Sequence, residues 1–151
     1  MQFPKLPRIE WELPEVNNFE SEEVVGYMTP LFDFSKGEFV TDASGAVALD
    51  DGQRGIANLI EKTHRAPRGV YRVYTDDYGS EVRNVLLDSE LGEKGRISRV
   101  KEAIRDSLIY DERIIDVSEI GITKGEKDTY IASYTVYTIY GDVPVRREVK
   151  V

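Results

Sequence analysis

The chain has 151 residues, of which 40% are hydrophobic and 32% charged, with 28 acidic against 20 basic side chains and a formal charge of −8. That length suits one domain with a core of its own, burying on the order of 70% of the unfolded surface. The negative balance disfavours nucleic acid and anionic membrane as partners, and the lack of cysteine with a single histidine excludes disulfides, thiolate chemistry and multi-histidine metal centres.

Pro4, Pro7 and Pro14 discourage helix and predict an extended N-terminal arm over residues 1–28, with Trp11 among its apolar side chains. Such an arm either folds back on its own domain or docks on a neighbouring subunit. The opening residues lack the sections of a signal peptide, and no apolar run approaches the roughly 20 residues of a bilayer span, so a cytoplasmic chain is expected. The folded domain is then expected over residues 29–151.

After Pro30, residues 31–34 and 39–41 are short β candidates around Ser35, Lys36 and Gly37, with residues 47–49 as a weaker continuation. Asp50 or Asp51 can cap a helix over residues 52–64, where Ile56, Leu59, Ile60 and Thr63 share one face and Arg54, Glu61 and Lys62 face water. Pro67 and Gly69 separate this helix from Val70, Tyr71, Val73 and Tyr74, whose alternation predicts a strand over residues 70–75. Asp76 and Asp77 then start a turn that Gly79 permits.

Ser80 opens a second helical segment carrying Val82, Val85, Leu86 and Ser89. A stronger one follows over residues 93–110, striped by Ile97, Val100, Ala103, Ile104, Ser107 and Leu108. From Arg113 the period changes to two. One strand is expected over residues 114–122, a turn at Lys124 and Gly125, a long strand over 129–140, a turn at Gly141 and Asp142, and a last strand over 143–151. Both faces of the long strand are fairly apolar, which suggests a central strand or one covered on both sides. The expected fold is α+β: about three helices on a mixed or antiparallel sheet that ends in a β-meander.

Chemistry is sparse. His64 has no second imidazole for a relay, and a lone histidine near a helix end more often serves structure. The pairs Asp50-Asp51 and Asp76-Asp77 sit where caps and turns are expected, without the alternating oxygen ligands of a calcium loop. Ser44-Gly45 lacks the flanks of a nucleophile elbow, and residues 52–55 lack those of a phosphate-binding loop. No catalytic residue, metal or cofactor is therefore assigned. Tyr71, Tyr74, Tyr78, Tyr130, Tyr134, Tyr137 and Tyr140 concentrate in the expected strands and turn, where they suit either cross-strand packing or a protein interface.

The order LFDFSKGEFV, then GQRGIANLIEKTHRAPRGVYRVYTDDYGSEV, then IYDERIIDV resembles the sheath-initiator or baseplate-wedge family of contractile phage tails and related injection systems, in the branch found in phages and defective prophages of Gram-positive bacteria. The block from Tyr71 to Glu81 carries most of the specificity. The resemblance implies a small, non-enzymatic α+β protein, assembled in the host cytoplasm and incorporated in the virion. Its implied place is the tail baseplate, between the wedge around the tail tube and the first sheath ring. Its implied partners are the sheath protein, other baseplate-wedge proteins and tube or hub proteins.

Many members of that family carry Glu-Pro-Arg where this chain has Asp111, Glu112 and Arg113, so the resemblance carries a partner-binding role to these three, although Arg113 can equally cap a helix C-terminus electrostatically. The terminal strands add Tyr130, Tyr134, Tyr137, Tyr140, Val145, Arg146, Arg147 and Val149 as candidate partner-binding residues. An exposed strand edge has unpaired backbone groups that a neighbouring chain can satisfy, and residues 129–140 and 143–149 are the expected template. Two other classes stand beside this reading: a small cell-wall hydrolase of lysozyme type, and an adaptor unrelated to tails.

Overall fold

The computed structural model describes residues 28–127 and 129–150. Of the expected arm only Met28 falls within them. The described chain begins with nested antiparallel ribbons: β1 (Thr29–Pro30) pairs with β4 (Leu49–Asp50), and within them β2 (Phe32–Asp33) pairs with β3 (Glu38–Phe39). Aspartates hold the turns. Asp33 Oδ1 accepts from the amides of Ser35 (2.9 Å) and Lys36 (3.1 Å), and Asp42 Oδ1 repeats the device on Ser44 (2.8 Å) and Ala46 (3.1 Å).

Asp50 also opens the first helix, α1 (Gln53–Arg65), because its Oδ1 accepts from the amides of Gly52 (2.6 Å) and Gly55 (3.3 Å). A side chain at Gly55 would come within 2.3 Å of the Asp50 carbonyl oxygen, so glycine lets the ribbon lie against the helix. Ile56, Ile60 and Thr63 are buried as their spacing predicts, and Leu59 packs against the same core.

The strand expected over residues 70–75 does not form. Residues 68–79 are turns and bends, pinched at their base by a bridge between Pro67 and Ser80 and by Ser80 N donating to Ala66 O (2.8 Å). The alternation has another cause: Val70 and Val73 stay exposed, while Tyr74 stacks on Tyr78 (4.2 Å between centroids) under the Lys62 ammonium. Gly79 closes the excursion at φ +106°, where a Cβ would meet the Ala66 carbonyl oxygen at 2.8 Å. Asp76 and Asp77 are exposed in these turns.

Ser80 Oγ accepts from Val82 N (3.3 Å) at the start of α2 (Val82–Leu87), which is shorter than expected and leaves Ser89 outside. The third helix, α3 (Glu93–Leu108), buries Val100, Ala103, Ile104, Ser107 and Leu108, with Ile97 at the margin. Among the described residues no helix is long and apolar enough to cross a membrane.

The remaining strands form one antiparallel sheet. Strand β7 (Thr129–Thr138) is its centre, β8 (Gly141–Lys150) pairs along one side, and β5 (Ile114–Val117) and β6 (Gly121–Lys124) lie end to end along the other. The single strand expected over 114–122 is thus two, with Ser118 bridging the break: its amide donates to Thr135 O (2.8 Å) and its Oγ accepts from Thr135 N (2.8 Å). The last hairpin turns at Ile139 and Tyr140, two residues earlier than expected, since Thr138 already pairs with Gly141.

Among the described residues only one face of the sheet is covered. Tyr130, Ala132, Tyr134, Val136 and Val143 pack on Ile56, Ile60, Val100, Ile104 and Leu108, each large aliphatic contributing about 1.5–3 kcal/mol relative to exposure. The opposite face, with Ser133 and Tyr137, is left open by the described residues, which make β7 central and cover it on one side.

Candidate functional site

The features able to engage another chain are the sheet edges and two charged clusters behind them. Backbone direction along the sheet follows from Thr135, whose amide and carbonyl both go to Ser118 on the β5/β6 side. By alternation, the even-numbered residues of β7 bond β8, and the β8 residues opposite them are Val143, Val145, Arg147 and Val149. The backbone groups of Asp142, Pro144, Arg146, Glu148 and Lys150 therefore point away from β7, where no described strand pairs with them. Proline fits position 144 because the N–H it lacks has no partner in the ladder.

Strand β7 has both edges occupied and cannot be a template, which corrects half of the expectation. On the other side of the sheet, β5 carries a register shift between Ile114 and Asp116, and Arg105 blocks its outer edge. The Arg105 Nη1 donates to Val117 O (2.8 Å), and its Nη2 lies 2.6 Å from Asp116 Oδ1.

The first charged cluster is closed. Arg113, only 5% exposed, forks around Asp111: Nε donates to Oδ1 (3.0 Å), Nη2 to Oδ2 (2.9 Å) and the Arg113 amide to Oδ1 (3.0 Å). Its Nη1 donates to Thr29 Oγ1 (3.2 Å), tying the α3–β5 turn to β1. Burial pushes the Asp111 carboxyl up, but the hydrogen bonds and charge of Arg113 outweigh it and hold the group below its ordinary value. Asp111 and Arg113 are thus spent inside the chain, a correction to their expected partner contacts, while Glu112 between them is exposed.

The second cluster is open. His64 Nε2 and the Tyr134 hydroxyl share a 2.6 Å hydrogen bond behind β8. Burial, with the positive charge of Arg147 acting the same way, brings His64 down to about 3, and burial pushes the Tyr134 hydroxyl up. Arg147 Nη1 stands 3.6 Å from Glu61 Oε2, too far for a hydrogen bond, and this buried nitrogen finds no acceptor among the described residues. Beside it opens a cavity of about 220 Å³ between the end of α1, the start of α2 and the last residues of β8.

Tyr130 (6% exposed) and Tyr134 (5%) belong to the chain's own core, which corrects their expected interface role. Tyr140, Val145 and Val149 are partly buried against that core. Tyr137 and Arg146 are exposed on the open sheet face. The cavity beside Arg147 was not foreseen, because it joins residues separated by most of the chain. The concentration of Arg146, Arg147 and Lys150 in the last strand was its only local signal.

The model of a family described as contractile injection system sheath initiator matches residues 28–141. The chain is also similar to the phage-like element PBSX protein XkdS of Bacillus subtilis (strain 168), 27% identical over 139 residues that make up 92% of each chain.

Proposed function

The chain belongs to the contractile injection system sheath-initiator family, a structural component of contractile tails, and from that premise we propose that it joins the baseplate wedge around the tail tube to the first sheath ring by accepting a sheath strand on β8. The observation that carries this reading is the regular outer edge of β8, unpaired among the described residues. Backbone donors and acceptors left open along a strand favour addition of another, and the gain is main-chain hydrogen bonding with little demand on side-chain identity. Pro144 removes one donor near the hairpin, so the template is strongest over residues 146–150. Tyr137 and Arg146 on the open face are placed to make wedge, tube or hub contacts. The work is mechanical, with assembly in the bacterial cytoplasm and residence in the tail.

Paired proline substitutions test the choice of edge. Glu148→Pro deletes an outward N–H of β8 and leaves the ladder with β7 intact, whereas Lys124→Pro does the same at the exposed end of β6. With the sheath protein encoded by the same genetic element, the expected result by electron microscopy is sheath nucleation lost with Glu148→Pro and retained with Lys124→Pro. Retention with both would remove β8 as the template.

A further inference from the structure

The cavity beside Arg147 is lined by Arg65, Arg83, Arg147 and Lys150, with neutral His64 behind; Glu61 pairs with Arg65 (2.6 Å) and stands 3.6 Å from Arg147, and Glu148 pairs with Lys150 (3.4 Å), so two carboxylates face four cations. This cationic surplus stands out in a chain of net charge −8. Two observations give it a chemical meaning. The buried Arg147 Nη1 has no acceptor within hydrogen-bond reach among the described residues, and an unmet buried donor is destabilising until an acceptor arrives. The cavity is also continuous with the open stretch of β8, since Arg147, Glu148, Val149 and Lys150 both line it and form that edge.

A strand added alongside residues 146–150 would alternate its side chains between the two faces of the sheet. Those falling on the side of Arg147 and Val149 would point towards α1 and α2, over the mouth of the cavity. We propose that this cavity receives an acidic side chain of the incoming strand, and so sets the register and identity of what β8 accepts. A carboxylate satisfies the unmet N–H of Arg147 and meets Arg83, in the fork-to-fork geometry that guanidinium groups offer, while Lys150, paired with Glu148 on the other face of the strand, adds longer-range positive charge. Backbone pairing alone reads no sequence, so an ion pair at one position supplies the selectivity that an open edge lacks. Extended polyanions are the poorer match, because the chain as a whole carries a net charge of −8.

This inference rests on strand addition at β8, and the test separates the two. Binding of the full-length chain to the sheath protein of its own element is measured for three variants. Arg83→Gln with Lys150→Gln removes two exposed cavity cations; Lys94→Gln with Arg99→Gln removes the same charge from α3; Glu148→Pro blocks the edge. The first pair is expected to weaken binding about tenfold or more and the second about twofold or less. Arg83→Lys with Lys150→Arg should bind like the unaltered chain. If the cavity and control pairs weaken binding equally while Glu148→Pro abolishes it, the acidic-side-chain inference falls and strand addition stands. If Glu148→Pro binds normally, both fall. Glu148→Pro removes a carboxylate from the cavity wall, so loss of binding in that variant cannot come from a weaker positive field.

Discussion

Strand β8 runs ten residues in unbroken register with β7, whereas the opposite edge of the same sheet is assembled from two four-residue strands with a register shift and a break. Arg105 fills part of that second edge by donating to the Val117 carbonyl, and no comparable side chain bonds the outward backbone of β8 among the described residues. The difference lies in what each edge spends on its own fold. Bulges and inserted cations are the usual ways to keep a strand edge from pairing, and here they act on one side only. The charged clusters behind the edges follow the same division, with Arg113 saturated behind β5 and Arg147 Nη1 short of a hydrogen-bond acceptor among the described residues behind β8.

The contrast can be broken most severely at its closed side. Arg113→Met leaves Asp111 partly buried without its cation, and loss of one partner of a buried pair typically costs about 3–5 kcal/mol. Chemical denaturation should register a loss of that order, with the β5 end of the sheet released from β1. A loss under about 1 kcal/mol would mean that Arg113 is not the tie the geometry indicates.

Acid should act on the other side. His64, which bonds Tyr134 behind β8, has its folded-state value brought down from 6.5 to about 3, so the unfolded chain takes up the extra proton first. Stability is therefore complete above pH 6.5 and falls as the pH drops below it, by up to about 1.4 kcal/mol per pH unit. Between pH 6.5 and 4.5 most carboxylates remain ionised, so the histidine dominates. His64→Gln should flatten the slope of unfolding free energy in that window, and an unchanged slope would assign it elsewhere.

Smaller effects sharpen the comparison. Arg105→Ala should lower the melting temperature by a few degrees and leave sheath nucleation on β8, because the bulge and break at β5/β6 persist without the arginine. Pro144→Ala restores an outward N–H to β8. Folding stability should change by less than about 1 kcal/mol, while self-association by light scattering should rise as the open edge lengthens.

Much of this architecture is legible in the amino-acid order, and the exceptions share a physical cause. Helices α1 and α3 fall within a residue or two of their expected bounds because Ile56, Ile60, Val100, Ile104 and Leu108 repeat at helical spacing and all face one core. The even-numbered face of β7 was equally readable. Alternation at Val70, Tyr71, Val73 and Tyr74 misled because period two records which side chains could share a face, and says nothing about whether a partner strand exists. There the tyrosines pack on one another and on Lys62 instead. The choice between packing and interface for Tyr134 was not legible for a similar reason: its hydroxyl partner is His64, 70 positions away. Arg113 did carry a local signal, since Asp-x-Arg in the turn before a strand brings a carboxylate and a guanidinium two residues apart, where a fork can close.

Amide hydrogen exchange, read on the isolated chain and again in complex with its sheath protein, tests the central claim most directly. Fast exchange at the amides of Arg146, Glu148 and Lys150 in isolation should become strong protection in the complex, while the β5 and β6 amides change little. Protection gained along β5 and β6, with those three amides still exchanging freely, would contradict the assignment of β8 as the edge on which the sheath begins.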